Sequence, residues 1–251
     1  MEPVFRTLEI AAEAATRVTG TRITYHGLGN IPARGGAVVA INHTGYIDFL
    51  PAALAAKHRG RRMRFMIKAE MEQEKVVGYL IRHAGTIPVD RRAGAGAYSV
   101  AVQALRAGEL VGVYPEATIS RSFELKEFKT GAVRMAIEAD VPILPLIVWG
   151  AHRLWTKDHP RALGRNRIPV AVVVGEPIPP AGPVSELSNT LRASMNTLLE
   201  RAQADYPAPA GQYWVPRRLG GGAPTLEEAT RLEEAELAER ARRRAEGRAK
   251  R

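Results

Sequence analysis

The sequence predicts an α/β fold in which helices cover a central, mostly parallel sheet, and three observations lead to that expectation. Short β-rich runs alternate with helical patterns along most of the chain. The β-rich runs are apolar on both faces, as strands buried between two helical layers must be. Clusters of proline and glycine then interrupt the alternation after about residue 206.

Taken in order, the first twenty residues place Val4, Leu8, Ala11, Ala15 and Val18 on one helical stripe, an amphipathic helix over 1–20. Glu2, Arg6, Glu9, Glu13 and Arg17 break any apolar run long enough to cross a bilayer, so neither a transmembrane segment nor a signal peptide is expected. Strands are predicted at Ala37 to Ile41, Arg64 to Ile67, Thr86 to Val89, Leu110 to Tyr114, Ile143 to Trp149 and Val170 to Val174. Helices are predicted near 49–58, 73–83, 97–107 and 130–139, with another near 184–203. These elements form one domain over 21–206. Residues 207–224, with Pro207, Pro209, Gly211 and the run Gly220 to Gly222, read as a linker. Residues 225–251 read as a charged helical or disordered tail, with Glu227/Arg231, Glu236/Arg240 and Glu239/Arg243 in favourable i, i+4 order.

The chain has 251 residues, no cysteine and a net charge of +10. Disulfides, thiolate metal sites and a cysteinyl acyl intermediate are thereby excluded. Arginine outnumbers lysine 29 to 7, which points to an anionic partner without choosing among phosphate, nucleic acid and an acidic membrane.

The segment from Ala37 to Pro51 runs from an apolar strand through a polar turn into a helix. Proline is tolerated only in a helix's first turn, so the helix starts near Asp48 and His43 lies in the preceding turn. On one continuous helix, residues five apart would diverge by roughly 140°; across a turn they can meet. A carboxylate that accepts the Nδ1 proton fixes the imidazole tautomer and leaves Nε2 to take a proton from a substrate hydroxyl. The competing account has His43 bonding locally while Asp48 caps the helix. His26, His58, His83, His152 and His159 lack a carboxylate at this spacing, and no histidine pair carries a third metal ligand. The glycine pairs Gly27/Gly29 and Gly94/Gly96 complete no nucleotide-binding fingerprint, and there is no Gly-x-Ser-x-Gly elbow.

Three further segments lie at strand ends: Gly85 to Arg91, Tyr114-Pro115-Glu116-Ala117-Thr118-Ile119-Ser120, and Val141 to Pro145. Together with Asn42, His43 and Asp48, which match NHxxxxD, their order resembles the glycerophospholipid acyltransferase family, whose best-known members are 1-acylglycerol-3-phosphate acyltransferases. The resemblance covers roughly residues 20–180 and implies that family's α/β fold. It also implies that His43 deprotonates an acceptor hydroxyl while Asp48 orients the imidazole, and that Arg91 binds the acceptor's phosphate through its fork of donors. Glu116 is implied to position the acceptor. The third motif usually has arginine where this chain has Ile119, so Arg121, Lys126 and Lys129 are nearby substitutes; Ala117 replaces a glycine and Gly45 stands where serine is frequent. Lys68 matches a lysine common between the first two motifs. With Asn42 it is a candidate for substrate positioning or for the oxyanion, an interaction worth about 3 kcal/mol in related settings; a salt bridge of Lys68 with Glu70 or Glu72 competes with that role. The segment Val141 to Pro145 reads as core structure.

The implied donor is acyl-CoA or acyl carrier protein, used as a substrate, and neither a cofactor nor a metal is required. The implied acceptor is lysophosphatidic acid or a related glycerol-phosphate lipid, which places the protein on the cytoplasmic, inner face of a membrane. The amphipathic first helix, the basic surface and Trp149, Trp155 and Trp214 are candidate contacts with an anionic membrane surface; no nucleic-acid partner is expected. A CoA-independent phospholipid transacylase would use the same chemistry. In a non-catalytic basic module for membranes or nucleic acid, the His/Asp turn would have none.

Overall fold

A computed structural model describes residues 3–68, 85–89 and 94–249. Contacts divide the chain into two compact units, residues up to 119 with 127–206, and 120–126 with 207–251.

Among the described residues the first unit holds seven strands: β1 (Arg22–His26), β2 (Ala37–Ile41), β3 (Met63–Lys68), β4 (Ile87–Val89), β5 (Leu110–Val113), β6 (Ile143–Trp149) and β7 (Pro169–Val174). Its helices are α1 (Pro3–Thr19), α2 (Phe49–His58), α3 (Gly94–Arg106), α4 (Gly131–Ala139) and α5 (Val184–Ala204). The sheet runs β1-β7-β6-β2-β5-β3-β4. Every pairing is parallel except β6 with β7, so the mostly parallel sheet is as expected. β2, flanked by β5 and β6, is buried at all five positions, and β6 at all seven. Continuous apolar runs form these strands because helices cover both faces and leave no wet side for alternation to mark.

β1 is the strand that the sequence reading omitted. Its exposure alternates along an edge, and Arg22, Thr24 and His26 face solvent. Only Ile23 and Tyr25 pack against the core, a signal diluted by polar neighbours. The helix expected over 73–83 lies outside the described residues.

α2 buries Pro51, Ala52, Leu54, Ala55 and Ala56. Small side chains on this face let the helix approach the sheet closely. At the other end of the sheet, the Arg61 guanidinium donates to the carbonyls of Pro32, Gly35 and Gly108 at 2.6–2.8 Å, which ties the loops preceding β2 and β5 together. α1 docks through Ala12 and an ion pair between Glu13 and Lys57 (2.6 Å). The predicted apolar stripe is therefore not its contact face throughout: Ala15 is exposed and Val18 is 72% exposed.

In the second unit the segment read as a linker folds, and the charged segment after it forms a helix, one of its two expected states. Gly211 and Gly222 donate backbone bonds to Gly220 and Gln212, and Ala223 donates to Val215, so 211–223 closes on itself. A Cβ on Gly221 would lie 1.9 Å from the Val215 carbonyl oxygen, so glycine here permits a close backbone approach. Trp214, Val215 and Ala223 are buried. Helix α6 (Leu226–Ala249) begins with a reciprocal capping box. The Thr225 amide donates to the Glu228 carboxylate (2.8 Å), and the Glu228 amide donates to Thr225 Oγ1 (3.2 Å). These bonds hold the Glu228 carboxyl below its ordinary range.

Candidate active site

The first motif occupies the turn between β2 and α2. Because β2 and β5 are adjacent and parallel, their carboxyl ends bring this turn beside the third motif. Asn42, fully buried, donates to the Val148 carbonyl (3.0 Å) and accepts from the Val148 amide (2.7 Å). It therefore clamps the end of β2 to β6 with its side chain buried away from solvent.

His43 Nδ1 lies 3.3 Å from Asp48 Oδ2, with the imidazole 19% exposed and the carboxylate fully buried. The histidine can thus meet a substrate while its partner is shielded. Asp48 Oδ2 also accepts the amides of Thr44 and Gly45, each at 2.7 Å. Asp48 stands at the N-cap position of α2 but turns its carboxylate back on the preceding turn, so helix capping does not account for it. Burial raises the Asp48 carboxyl above its usual range, and the bonds from His43, Gly45 and Thr44 oppose that shift. Asp48 Oδ1 is buried and finds no protein donor among the described residues. A Cβ on Gly45 would lie 3.2 Å from Oδ1. The same Cβ would lie 2.8 Å from the Trp155 carbonyl oxygen. That carbonyl accepts the Tyr46 amide (3.0 Å), while Thr156 Oγ1 donates to the Thr44 carbonyl (2.7 Å). Sequence reasoning missed this support from 155–156; nothing in the local pattern signals it, because it depends on a contact across more than a hundred residues.

From the third motif, buried Glu116 accepts the His43 amide through Oε1 (2.8 Å), and the Tyr114 ring stacks on the imidazole at 4.0 Å and 21°. Burial, with Asp48 nearby, keeps the Tyr114 phenol well above its ordinary pKa and hence neutral. Ala117 adopts φ 61°, a left-handed conformation that explains why a glycine suits this position. Ile119 is buried at 5% exposure, an apolar site where the usual arginine would have to be desolvated.

The proposed substitutes for that arginine separate. Arg121 pairs with Glu236 (2.8 Å) and Lys126 with Glu233 (2.8 Å), both within the second unit. Carboxylates therefore already engage both cations. Lys129 instead anchors its backbone amide to the Pro115 carbonyl (2.9 Å) within the third motif, with its side chain exposed. Arg91 lies outside the described residues. Lys68 ends β3, and its side chain, with Glu70 and Glu72, also lies outside them. Val141 to Pro145 enters the buried strand β6, as core structure should. Trp149 and Trp214 are buried, which removes them as membrane contacts, whereas Trp155 is only partly buried.

Three outcomes follow from this geometry. Asp48→Asn keeps an oxygen for the two amides but loses the charge that supports an imidazolium, so turnover should fall by roughly 10⁴-fold. Because the folded-state pKa of Asp48 is raised, the wild type loses stability as pH rises from the ordinary carboxylate range through that raised value. Asp48→Asn escapes the loss, and urea midpoints of both proteins across pH should show the variant gaining relative to wild type on going from acid to neutral. Ala117→Gly should relieve about 1–2 kcal/mol of backbone strain, partly offset by about 0.4–1 kcal/mol of unfolded-chain entropy; thermal melts should show a small increase in Tm.

A profile described as Acyltransferase matches residues 22–149, just over half of the chain. The 1-acyl-sn-glycerol-3-phosphate acyltransferase of Bacillus subtilis is 31% identical over 122 residues, covering 48% of this chain and 59% of that protein. The protein of the same name from Borreliella burgdorferi is 27% identical over 152 residues, covering 56% of each. The chain thus spans less than two thirds of the length of these curated relatives. The crystal structure of the 1-acyl-sn-glycerophosphate acyltransferase of Thermotoga maritima superposes with a TM-score of 0.66 over 80% of this chain and 81% of that one; at 22% identity this establishes the shared fold. With the profile spanning both motif-bearing strands β2 and β5, the chain belongs to the acyltransferase family.

Proposed function

We propose that the protein transfers a fatty acyl group from acyl-CoA or acyl carrier protein to a hydroxyl of lysophosphatidic acid or a related glycerol-phosphate lipid, in phospholipid biosynthesis. The observation that carries this reading is the accessible imidazole of His43, held at Nδ1 by a buried carboxylate that is itself fixed by two backbone amides.

In this mechanism Nδ1–H donates to Asp48, which leaves the Nε2 lone pair for the acceptor's hydroxyl proton. The hydroxyl oxygen attacks the thioester carbonyl, and its proton passes to Nε2. Collapse of the tetrahedral intermediate breaks the C–S bond, and the departing thiolate takes the proton back. No acyl-enzyme forms, and each turnover returns His43 neutral. Asp48 stabilises the transient imidazolium, while the stacked ring of Tyr114 restricts rotation of the imidazole.

Among the cations near the third motif, Lys129 is the best suited to the acceptor's phosphate because its backbone is fixed to Pro115 and its side chain is exposed. Arg91 as a second phosphate ligand and Lys68 as an oxyanion partner rest on the family resemblance. A lipid acceptor also requires work at a membrane surface; among the described residues no helix is long and apolar enough to cross one, so peripheral attachment is the corresponding proposal.

His43→Ala should lower release of free thiol from acyl-CoA plus lysophosphatidic acid by roughly 10²–10⁴-fold with unchanged melting behaviour; retained turnover would remove the mechanism. Lys129→Ala should raise the acceptor KM roughly tenfold, equivalent to about 1.4 kcal/mol, with kcat nearly unchanged. An unaltered KM in an acceptor titration would exclude Lys129 as the phosphate ligand.

A further inference from the structure

The loop between β6 and β7 presents a basic surface with an apolar tip. Leu163 is 48% exposed, and Arg161, Arg165 and Arg167 beside it are all exposed. This exposure is built into an ordered loop: the Ala162 amide donates to the Leu154 carbonyl (2.8 Å), Asn166 Nδ2 donates to the Ala162 carbonyl (3.0 Å), and the Asn166 amide donates to the Gly164 carbonyl (2.8 Å). The turn around Leu163 is thus closed by its own polar bonds with the leucine in solvent.

Two connections place this loop in a larger surface. The Arg167 amide donates to the Thr19 carbonyl (3.2 Å), and a Cβ on Gly20 would lie 3.1 Å and 3.6 Å from the Cγ atoms of Arg167 and Arg165. The end of α1, with exposed Arg17 and Val18, therefore adjoins the loop. On the other side Arg161 stacks over Trp155 at 4.0 Å, and Trp155 meets Tyr46 of the catalytic turn at 4.9 Å. Tyr46 and Phe49 are 42% and 41% exposed.

The geometry points to the 155–167 loop, together with the end of α1, as the surface that docks on an anionic phospholipid bilayer, with Leu163 entering the interface and Arg165 and Arg167 meeting lipid phosphates. The assignment rests on the acyl-transfer reading only in that a membrane-borne acceptor would then arrive beside His43. Charge complementarity selects the occupant: Arg161, Arg165, Arg167 and Lys157 outnumber Asp158 in the loop. An exposed leucine among arginines suits the boundary between headgroups and acyl chains, where apolar burial and attraction to anionic lipid act together.

The test is co-sedimentation of the full chain with vesicles of phosphatidylcholine, with and without phosphatidylglycerol, beside turnover on a short-chain acceptor kept monomeric in solution. Leu163→Asp and the double variant Arg165→Gln/Arg167→Gln should each lower partitioning to the mixed vesicles by on the order of tenfold, while soluble turnover stays at the wild-type level. Arg165→Lys/Arg167→Lys should restore binding. His43→Ala should bind vesicles normally, so failure of the catalytic reading and failure of the docking reading give different patterns. Wild-type partitioning by both Leu163→Asp and the glutamine variant overturns the proposal, as does a loss of binding by the glutamine variant confined to an oligonucleotide probe.

Discussion

The arrangement at the candidate site depends on holding a buried carboxylate beside an accessible imidazole. Removing Asp48 from water favours its neutral form, which would not support an imidazolium. Two amides and His43 converge on one oxygen of that carboxylate and oppose the shift. Those amides can converge only if the turn from Thr44 to Asp48 is tight, and the turn is in turn fixed from outside. Asn42 locks its entry to β6, Glu116 holds the His43 amide, and the 155–156 backbone and hydroxyl close over Thr44 and Tyr46. Gly45 is the steric condition for that closure, because a side chain there would meet the Trp155 carbonyl.

This division explains which parts were legible in the sequence. Strands such as β2 and β6 stand out as unbroken apolar runs because both of their faces are buried, and Pro51 marks the start of α2 through its missing N–H. The pairing of His43 with Asp48 could be expected once that boundary was fixed. The roles of Asn42 and Thr156 could not, since each acts on a strand or turn more than a hundred residues away in the chain. Likewise the glycines near 220 punctuate the sequence like a linker, yet Gly221 serves a close approach to Val215 within a folded loop. A breaker residue signals an unusual backbone; it does not distinguish a flexible backbone from a tightly packed one.

The altered third motif shows the same limit in electrostatic form. Proximity in sequence made Arg121, Lys126 and Lys129 equivalent replacements for the arginine absent at Ile119. Folding separates them by partner: the first two face glutamates of α6, and Lys129 is fixed by its backbone to Pro115 with its side chain in solvent. A cation already balanced by a carboxylate must give up that pair before it can bind phosphate, so the loss offsets much of the gain.

Net charge therefore has to be resolved by location before it implies a partner. Arg61 is consumed by three backbone carbonyls at a loop junction, and burial lowers its pKa. Arg64 pairs with Glu109, Arg218 with Glu124, and Arg242 and Arg243 with Glu239. Glu227/Arg231 and Glu239/Arg243 pair along α6 as their spacing predicts, and Glu236 meets Arg121 from another segment. Positive charge so neutralised contributes little to a distant anion. What remains available is set by surface clustering, and the arginines around Leu163 form such a cluster in a loop whose hydrogen bonds leave their side chains exposed. The arginine excess in the composition thus arises from two distinct demands, joining loops and segments inside the fold and presenting charge at one face of it.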